Sequence, residues 1–369
     1  MDKKSIKRAF DLVNGLCKNY RPPFPILDCV LLQQKNDELT LVMTDIESYS
    51  KITVKSISNE DFVIALPQSQ MKNLLKVTKS FLQFAVIDGQ VFAMSDGVKV
   101  PLDVLEADAF PSFEDIKVVS CNLPKFSDGC RVFYAASKDD TRFNLMALRV
   151  ESNNGKVKYT ATDGHRLSHY SVDSDIEFTP FLMPSGFAKF LLSQKCFDLT
   201  KSVIELGISH IKLTGLDFFN CPYELVTRLI DGDYPDYPKV FPPKFVNTIT
   251  FDKGEMLEAL KKLLPIATQK KSYRHNSSDS PENVVVINMV NFDRVMSLSD
   301  KFEKMILDVP AEKEKYDEIE FRMNINYLME SLKYISGKRI TISISERQGA
   351  ILIEGNDAND YNIIMPMRK

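Results

Sequence analysis

Apolar and polar residues alternate on both sides of a short turn at three places in this chain. The first is LTLVMTDIESYSKITV around Thr44-Asp45, the second YTATDGHRLSHYSV around Thr162-Asp163, the third RVMSLSDKFEKMILDV around Ser299-Asp300. A valine stands nine residues past each aspartate, at Val54, Val172 and Val309. Period-two alternation with β-branched residues predicts strand, turn, strand in each case. Ser/Thr-Asp suits the turn, because both side chains accept hydrogen bonds from nearby backbone N–H groups.

The period then changes to that of a helix. LPQSQMKNLLKVTKS from Leu66 places Met71, Leu74 and Leu75 at i, i+3, i+4. MPSGFAKFLLSQK from Met183 repeats this with Phe187, Phe190 and Leu191, and MNINYLMESLKYIS from Met323 with Leu328, Leu332 and Ile335. Each set lies along one helical face. Pro67 and Pro184 fall at the starts, where a missing N–H is harmless. Each copy also opens on a helical pattern: SIKRAFDLVNGL from Ser5, LPKFSDGCRVFYAAS from Leu123 and FDKGEMLEALKKLLPIA from Phe251. Each closes on an aromatic or methionine before proline, at Phe110-Pro111, Tyr234-Pro235 and Met365-Pro366. The agreement of turn, helix and closing proline predicts three repeated α+β domains at 1–118, 119–244 and 245–369, with FPPKF at Phe241–Phe245 as a linker.

Composition narrows the function. The 369 residues are 44% hydrophobic and 26% charged, enough apolar material for several cores. A net charge of -3 excludes a uniformly basic nucleic-acid binder and leaves room for a local basic face. Six scattered cysteines without CxxC spacing read as thiols of a reducing compartment. The charged start MDKKSIKRAF has no apolar signal region, and no apolar run is long enough to span a bilayer, so the reading is cytoplasmic.

The densest polar stretch is YTATDGHRLSHY, Tyr159–Tyr170. Asp163 and His165 have the residue types of a base and its orienter, but no nucleophilic elbow or oxyanion loop accompanies them. His165 and His169 lack a third metal ligand. A polar turn explains the stretch as well.

Three motifs decide between these readings by resemblance. ATDGHRL at Ala161–Leu167, LIDGDYPDYPKVFP at Leu229–Pro242 and the terminal YNIIMPMRK at Tyr361–Lys369 resemble the bacterial sliding clamp, the β subunit of the replicative DNA polymerase holoenzyme. RPPFPIL at Arg21–Leu27 and TRFNL at Thr141–Leu145 fit the same family. The resemblance runs the length of the chain. It implies a non-enzymatic processivity factor without cofactor. Three clamp domains per chain would form a head-to-tail homodimeric ring, with helices lining the hole and sheets outside. Double-stranded DNA would pass through without sequence readout. The partners would be the replicative polymerase, a clamp loader ATPase and other proteins carrying a clamp-binding peptide with glutamine and then leucine or phenylalanine. No GxxxxGK[ST] phosphate loop is present, so ring opening would fall to the separate loader.

The resemblance also assigns residues. One wall of a partner-peptide pocket would be Leu145, Thr162, Gly164, His165, Arg166 and Leu167. The other would be Pro235, Lys239, Val240, Ile363, Ile364, Met365, Pro366, Met367 and Arg368, with Tyr273 at the rim. Lys239 stands where the family often has arginine. The polar segment Ala267–Asn283 looks longer than usual. DNA contacts would come from Arg21, Phe143, Asn144, Arg131 and Lys189, and from Lys72, Lys76 and Lys79 along one face of a helix. Asn144 departs from an aromatic pattern. Val100 and Leu102 would meet the partner's Ile266 and Ala267. A clamp-fold scaffold that does not encircle DNA and a small-molecule enzyme using Asp163, His165 and Arg166 stand as alternatives.

Overall fold

The computed structural model describes residues 2–17, 24–56, 60–87, 89–112, 118–242, 244–267, 284–289, 295–300, 306–313, 319–345, 349–357 and 359–367. Arg21, Tyr273, Arg368 and most of the polar segment 267–283 lie outside these. Two compact units emerge: residues 1–127 with 186–230, and residues 128–185 with 231–369. The middle third of the chain is thereby shared between both.

The first unit is built on an eight-stranded antiparallel sheet. Its order is Phe62–Pro67, Cys29–Lys35, Glu38–Thr44, Ser48–Lys55, Pro222–Arg228, His210–Leu216, Val203–Gly207 and Val118–Cys121. Its middle joint pairs Ser48–Lys55 with Pro222–Arg228, for example Ser50 with Leu225. A separate three-stranded sheet, Gln83–Ile87, Gln90–Ser95 and Val98–Pro101, belongs to the same unit. Helix α1 (Lys3–Leu16) buries Ile6, Ala9, Phe10, Leu12 and Val13. Asp2 caps it by accepting from the Ser5 N–H at 3.1 Å. Ser50 Oγ donates to the Val13 carbonyl at 2.9 Å, tying α1 to the sheet. Helix α2 (Gln68–Val77) buries Met71, Leu74 and Leu75, the predicted face.

The second unit carries a twelve-stranded sheet. In spatial order it runs Phe181–Pro184, Ala147–Ser152, Lys156–Thr162, Arg166–Asp173, Asp360–Ile364, Ile351–Glu354, Arg339–Ile344, Asn247–Asp252, Ile306–Lys313, Val295–Asp300, Val284–Met289 and Ile319–Asn324. Again the second strand of a Thr-Asp hairpin joins the last strand of the following repeat, here Arg166–Asp173 with Asp360–Ile364.

Helix α3 (Phe126–Cys130) is one short turn, continued by a 3-10 segment over Arg131–Ala135. The helical pattern read from Leu123 is thus met over Phe126–Ala135, although only its first five residues are α-helical. Gly129 carries a high helix cost, and it lies so close to the Tyr159 ring that a Cβ would overlap it. Helix α4 (Ser185–Ser193) begins in the second unit and runs into the first. Within the first unit its Phe190 approaches Gly15 of α1, where a Cβ would come within 2.8 Å of the ring. Helices α5 (Lys253–Ala267) and α6 (Ile325–Tyr334) cover the third repeat's core of Phe251, Met256, Leu260, Val285, Leu298, Phe321, Leu328 and Leu332. Each such side chain stabilises by about 1.5–3 kcal/mol when fully buried. Among the described residues no helix is long and apolar enough to cross a membrane.

Candidate functional site

The turn Thr162–Arg166 is closed by its own side chains. Thr162 Oγ1 donates to the Arg166 carbonyl at 2.6 Å and accepts from the Gly164 N–H at 3.1 Å. Asp163 Oδ1 accepts from the N–H groups of His165 at 2.9 Å and Arg166 at 3.0 Å. Gly164 has φ +89°, a left-handed conformation that glycine adopts without steric cost. The aspartate is thus spent on holding the turn. It does not orient the His165 imidazole, and His165 projects at the exposed tip. The catalytic pairing that the sequence leaves open is absent from this geometry.

Arg166 points inward, with its side chain 5% exposed. Its Nε donates to Asp163 Oδ2 at 3.0 Å, its Nη2 to the Tyr134 carbonyl at 2.6 Å and its Nη1 to Glu330 Oε2. The guanidinium carbon lies 4.2 Å from the Tyr327 ring centroid, a cation–π arrangement. A charge this buried is tolerable because opposite charges and carbonyls surround it. Arg166 therefore backs the turn from behind, whereas the resemblance places it in the wall. His169 is also interior. It shares a 2.8 Å hydrogen bond with Thr160 Oγ1 and stacks on Tyr361 at 4.6 Å. Burial, then the nearby Lys158 and Lys156, push its pKa down to about 3.

The second wall arrives from the end of the chain. Leu167 pairs with Ile363 and Arg166 with Ile364. The Met365 N–H donates to the His165 carbonyl at 2.9 Å, and the Met367 N–H to the Arg322 carbonyl at 2.8 Å. Ile363 and Ile364 are buried in the sheet, while Met365 stays 41% exposed beside the turn. Tyr234 reaches the Thr160 carbonyl at 3.4 Å and brings Pro235 to the same hairpin. Lys239 is exposed and pairs with Asp236 at 2.9 Å, and Val240 is exposed next to it. Leu145 is buried at the end of the 3-10 segment Asp140–Met146. Arg142 of that segment donates to the Asp163 carbonyl at 3.2 Å. The assembled features are apolar side chains, a methionine that adapts its shape and a few fixed polar groups. That combination suits a short extended peptide.

Tyr134, Tyr327 and Glu330 belong to this site and escape the sequence reading. Their helical and apolar spacing marks core, and no local signal ties them to a turn more than 160 residues away in the case of Glu330.

The remaining candidates divide. Phe143 is 57% exposed and faces Gly232, but the Asn144 amide is occupied by the Asp233 carbonyl at 2.6 Å. Lys72, Lys76 and Lys189 are exposed on their helices. Lys79 corrects the one-face reading: α2 ends at Val77, and the Lys79 N–H donates to Asp96 Oδ2 at 2.7 Å beyond the helix. Arg131 is partly engaged by Asp128 at 3.3 Å. Val100 is half-buried on an edge strand, but Leu102 is buried within its own unit, its N–H bonded to the Val91 carbonyl at 2.9 Å. Ile266 and Ala267 are half-buried at the end of α5.

Comparison with known proteins follows the same outline. Residues 130–236 match the model of the DNA polymerase III beta subunit, central domain. The beta sliding clamp of Pseudomonas aeruginosa is 23% identical, covering 100% of this chain and 99% of its own length. The beta sliding clamp homolog GriR of Streptomyces muensis is 23% identical over 94% and 93%. Among solved structures, the sliding clamp of Bacillus subtilis superposes with a TM-score of 0.84 at 19% identity, covering 100% of this chain and 98% of that one. A Pseudomonas aeruginosa clamp bound to griselimycin gives 0.82 at 22% identity over 100% and 98%. The chain has the sliding-clamp fold over its whole length, and its residues 130–236 carry the pattern of the beta subunit's central domain.

Proposed function

We propose that this protein is a DNA sliding clamp, a non-catalytic processivity factor that encircles duplex DNA and tethers a polymerase through the groove between Thr162–Leu167 and Ile363–Met367. The observation that carries the reading is the backbone pairing that sets these two motif segments side by side, Leu167 with Ile363 and Met365 with His165. The griselimycin-bound Pseudomonas clamp supports a ligand-binding surface on this fold.

The internal repeat supports a ring. In both completed joints, the second strand of a Thr-Asp hairpin takes the last strand of the next repeat. The third hairpin's second strand is Ile306–Lys313, which Asn247–Asp252 pairs only at Ala311–Lys313, so among the described residues its Ile306–Pro310 part has no neighbour on that side. Extending the rule, its counterpart is Val98–Pro101 of a second copy, which is an edge strand of the three-stranded sheet here. Two such head-to-tail contacts close a homodimer. Val100 lies on that edge, with Ile266 and Ala267 offered from the partner. The domain division at 118 and 244 follows from the same repeat. Lys72, Lys76 and Lys189 would supply weak, sequence-independent phosphate attraction, together with Lys79 and Arg131, while Phe143 would offer the DNA an exposed ring. Loading is assigned to a separate ATPase, and partner peptides to the groove.

Sedimentation equilibrium tests the ring. A closed dimer has about twice the 42.0 kDa chain mass. It should remain on nicked circular DNA after loading and leave when the circle is cut. A monomer at micromolar concentration that leaves circular and linear DNA alike would refute the clamp reading.

A further inference from the structure

The two walls of the groove share one support. Glu330 and Tyr334 lie four residues apart on α6, hence on one face of the helix. From Glu330 an ion pair runs to Arg166 and on to Asp163, the residue that holds the first wall's turn. From Tyr334 a stacked ring contact at 4.9 Å and 13° runs to Tyr134. The Tyr134 hydroxyl donates to Asn362 Oδ1 in the strand that forms the second wall, and its carbonyl accepts from Arg166. We infer that Glu330 is a positioning residue for the groove, and that α6 fixes both walls through Glu330 and the Tyr334–Tyr134 stack. The groove's part in this rests on the peptide-site reading above.

The electrostatics favour a specific role for Glu330. Asp163 already accepts two backbone N–H groups, so it is divided between the turn and the guanidinium. Glu330 supplies the second carboxylate from a different element. Removing it leaves Arg166 with a buried Nη1 that must turn toward another acceptor. Because the Glu330 side chain is 39% exposed, water can replace part of what is lost. The result is a looser turn in an otherwise intact fold.

Glu330→Ala, Glu330→Asp and Tyr134→Phe test this on the full-length chain, with two readouts. Amide hydrogen exchange reports the turn without any ligand. In Glu330→Ala, the His165 and Arg166 N–H groups should exchange about tenfold faster, with α5 and its sheet unchanged, and Glu330→Asp should restore part of the protection. Tyr134→Phe should loosen the strand around Asn362 in the same way. Fluorescence anisotropy with a peptide carrying glutamine followed by leucine should show Kd raised by a similar factor in Glu330→Ala. Unchanged exchange at His165 and Arg166 overturns the inference, as does acceleration spread evenly over α5 and the sheet. A wild-type chain that ignores the peptide while exchange responds as described overturns the peptide reading instead.

Discussion

Two turns in this molecule are built alike and used differently. In the first unit, Thr44 Oγ1 donates to the Ser48 carbonyl at 2.8 Å and accepts from the Ile46 N–H at 3.1 Å, while Asp45 Oδ1 accepts from the Ser48 N–H at 2.6 Å. Thr162, Asp163, Gly164 and Arg166 repeat these bonds in the second unit. The neighbouring strand docks equivalently, with Arg228 N–H on the Glu47 carbonyl at 2.7 Å where Met365 meets His165. The differences lie at three positions. Ile46 sits at φ +77°, a costly angle for a β-branched residue, where the twin has Gly164. Ser48 stands in place of the buried Arg166. Beyond Arg228 the chain runs on through Leu229, whose N–H bonds the Ser209 carbonyl at 2.7 Å, whereas Met365 leads into the Pro366–Met367 tail. A shared backbone device therefore becomes a candidate docking site through what backs it and what lies beside it.

Removing Arg166 should break the comparison most severely. Arg166→Ala leaves Asp163 buried without its cation and should cost about 3–5 kcal/mol, read as a lower midpoint in urea. Ser48→Ala at the matched position should cost under about 1 kcal/mol. Next in size is an acid effect confined to the second hairpin. His169 is held neutral by burial, with its pKa moved from 6.5 to about 3. Between those values the unfolded chain binds the proton and the native chain does not. Stability therefore falls as pH drops below about 6.5, and His169→Asn should flatten the fall. Denaturation midpoints at pH 7 and pH 5 decide it.

The turn tips should respond in opposite directions. Gly164→Ala meets no crowding beyond the end of Arg142, yet it forces φ +89° on a side chain and should lose about 1–2 kcal/mol. Ile46→Gly removes a strained, 56% exposed side chain and should be neutral or gain up to about 1 kcal/mol. The smallest effect belongs to Asp45. Burial raises its carboxyl pKa, so the native state binds the proton more tightly than the unfolded state. Stability falls as pH rises through the folded pKa and returns below it. Asp45→Asn keeps the acceptor for Ser48 and should remove that slope, gaining under about 1 kcal/mol at pH 7. Asp163→Asn, which strips Arg166 of a charge, should instead destabilise.

Much of the local structure was legible. The faces of α2, α4 and α6 follow the apolar spacing because helix burial repeats every 3.6 residues. The Thr-Asp turns are legible because they close on their own side chains. The helical pattern from Leu123 is met over Phe126–Ala135, where the α-helix gives way to 3-10 turns just after Gly129, a residue packed against the ring of Tyr159. The one-face reading of Lys72, Lys76 and Lys79 fails at Thr78, where the backbone leaves the helix and turns extended.

By itself, the sequence determined where strands turn, which helix faces are buried and that the plan recurs three times. Those features depend on neighbours within a few residues. The tertiary structure alone decided that Arg166–Asp173 pairs with Asp360–Ile364, that Arg166 turns inward to Glu330, and that Asp163 braces a turn and does not serve an imidazole. Pairings across such separations depend on loop closure and on which buried charges find partners, and no short window of sequence encodes either.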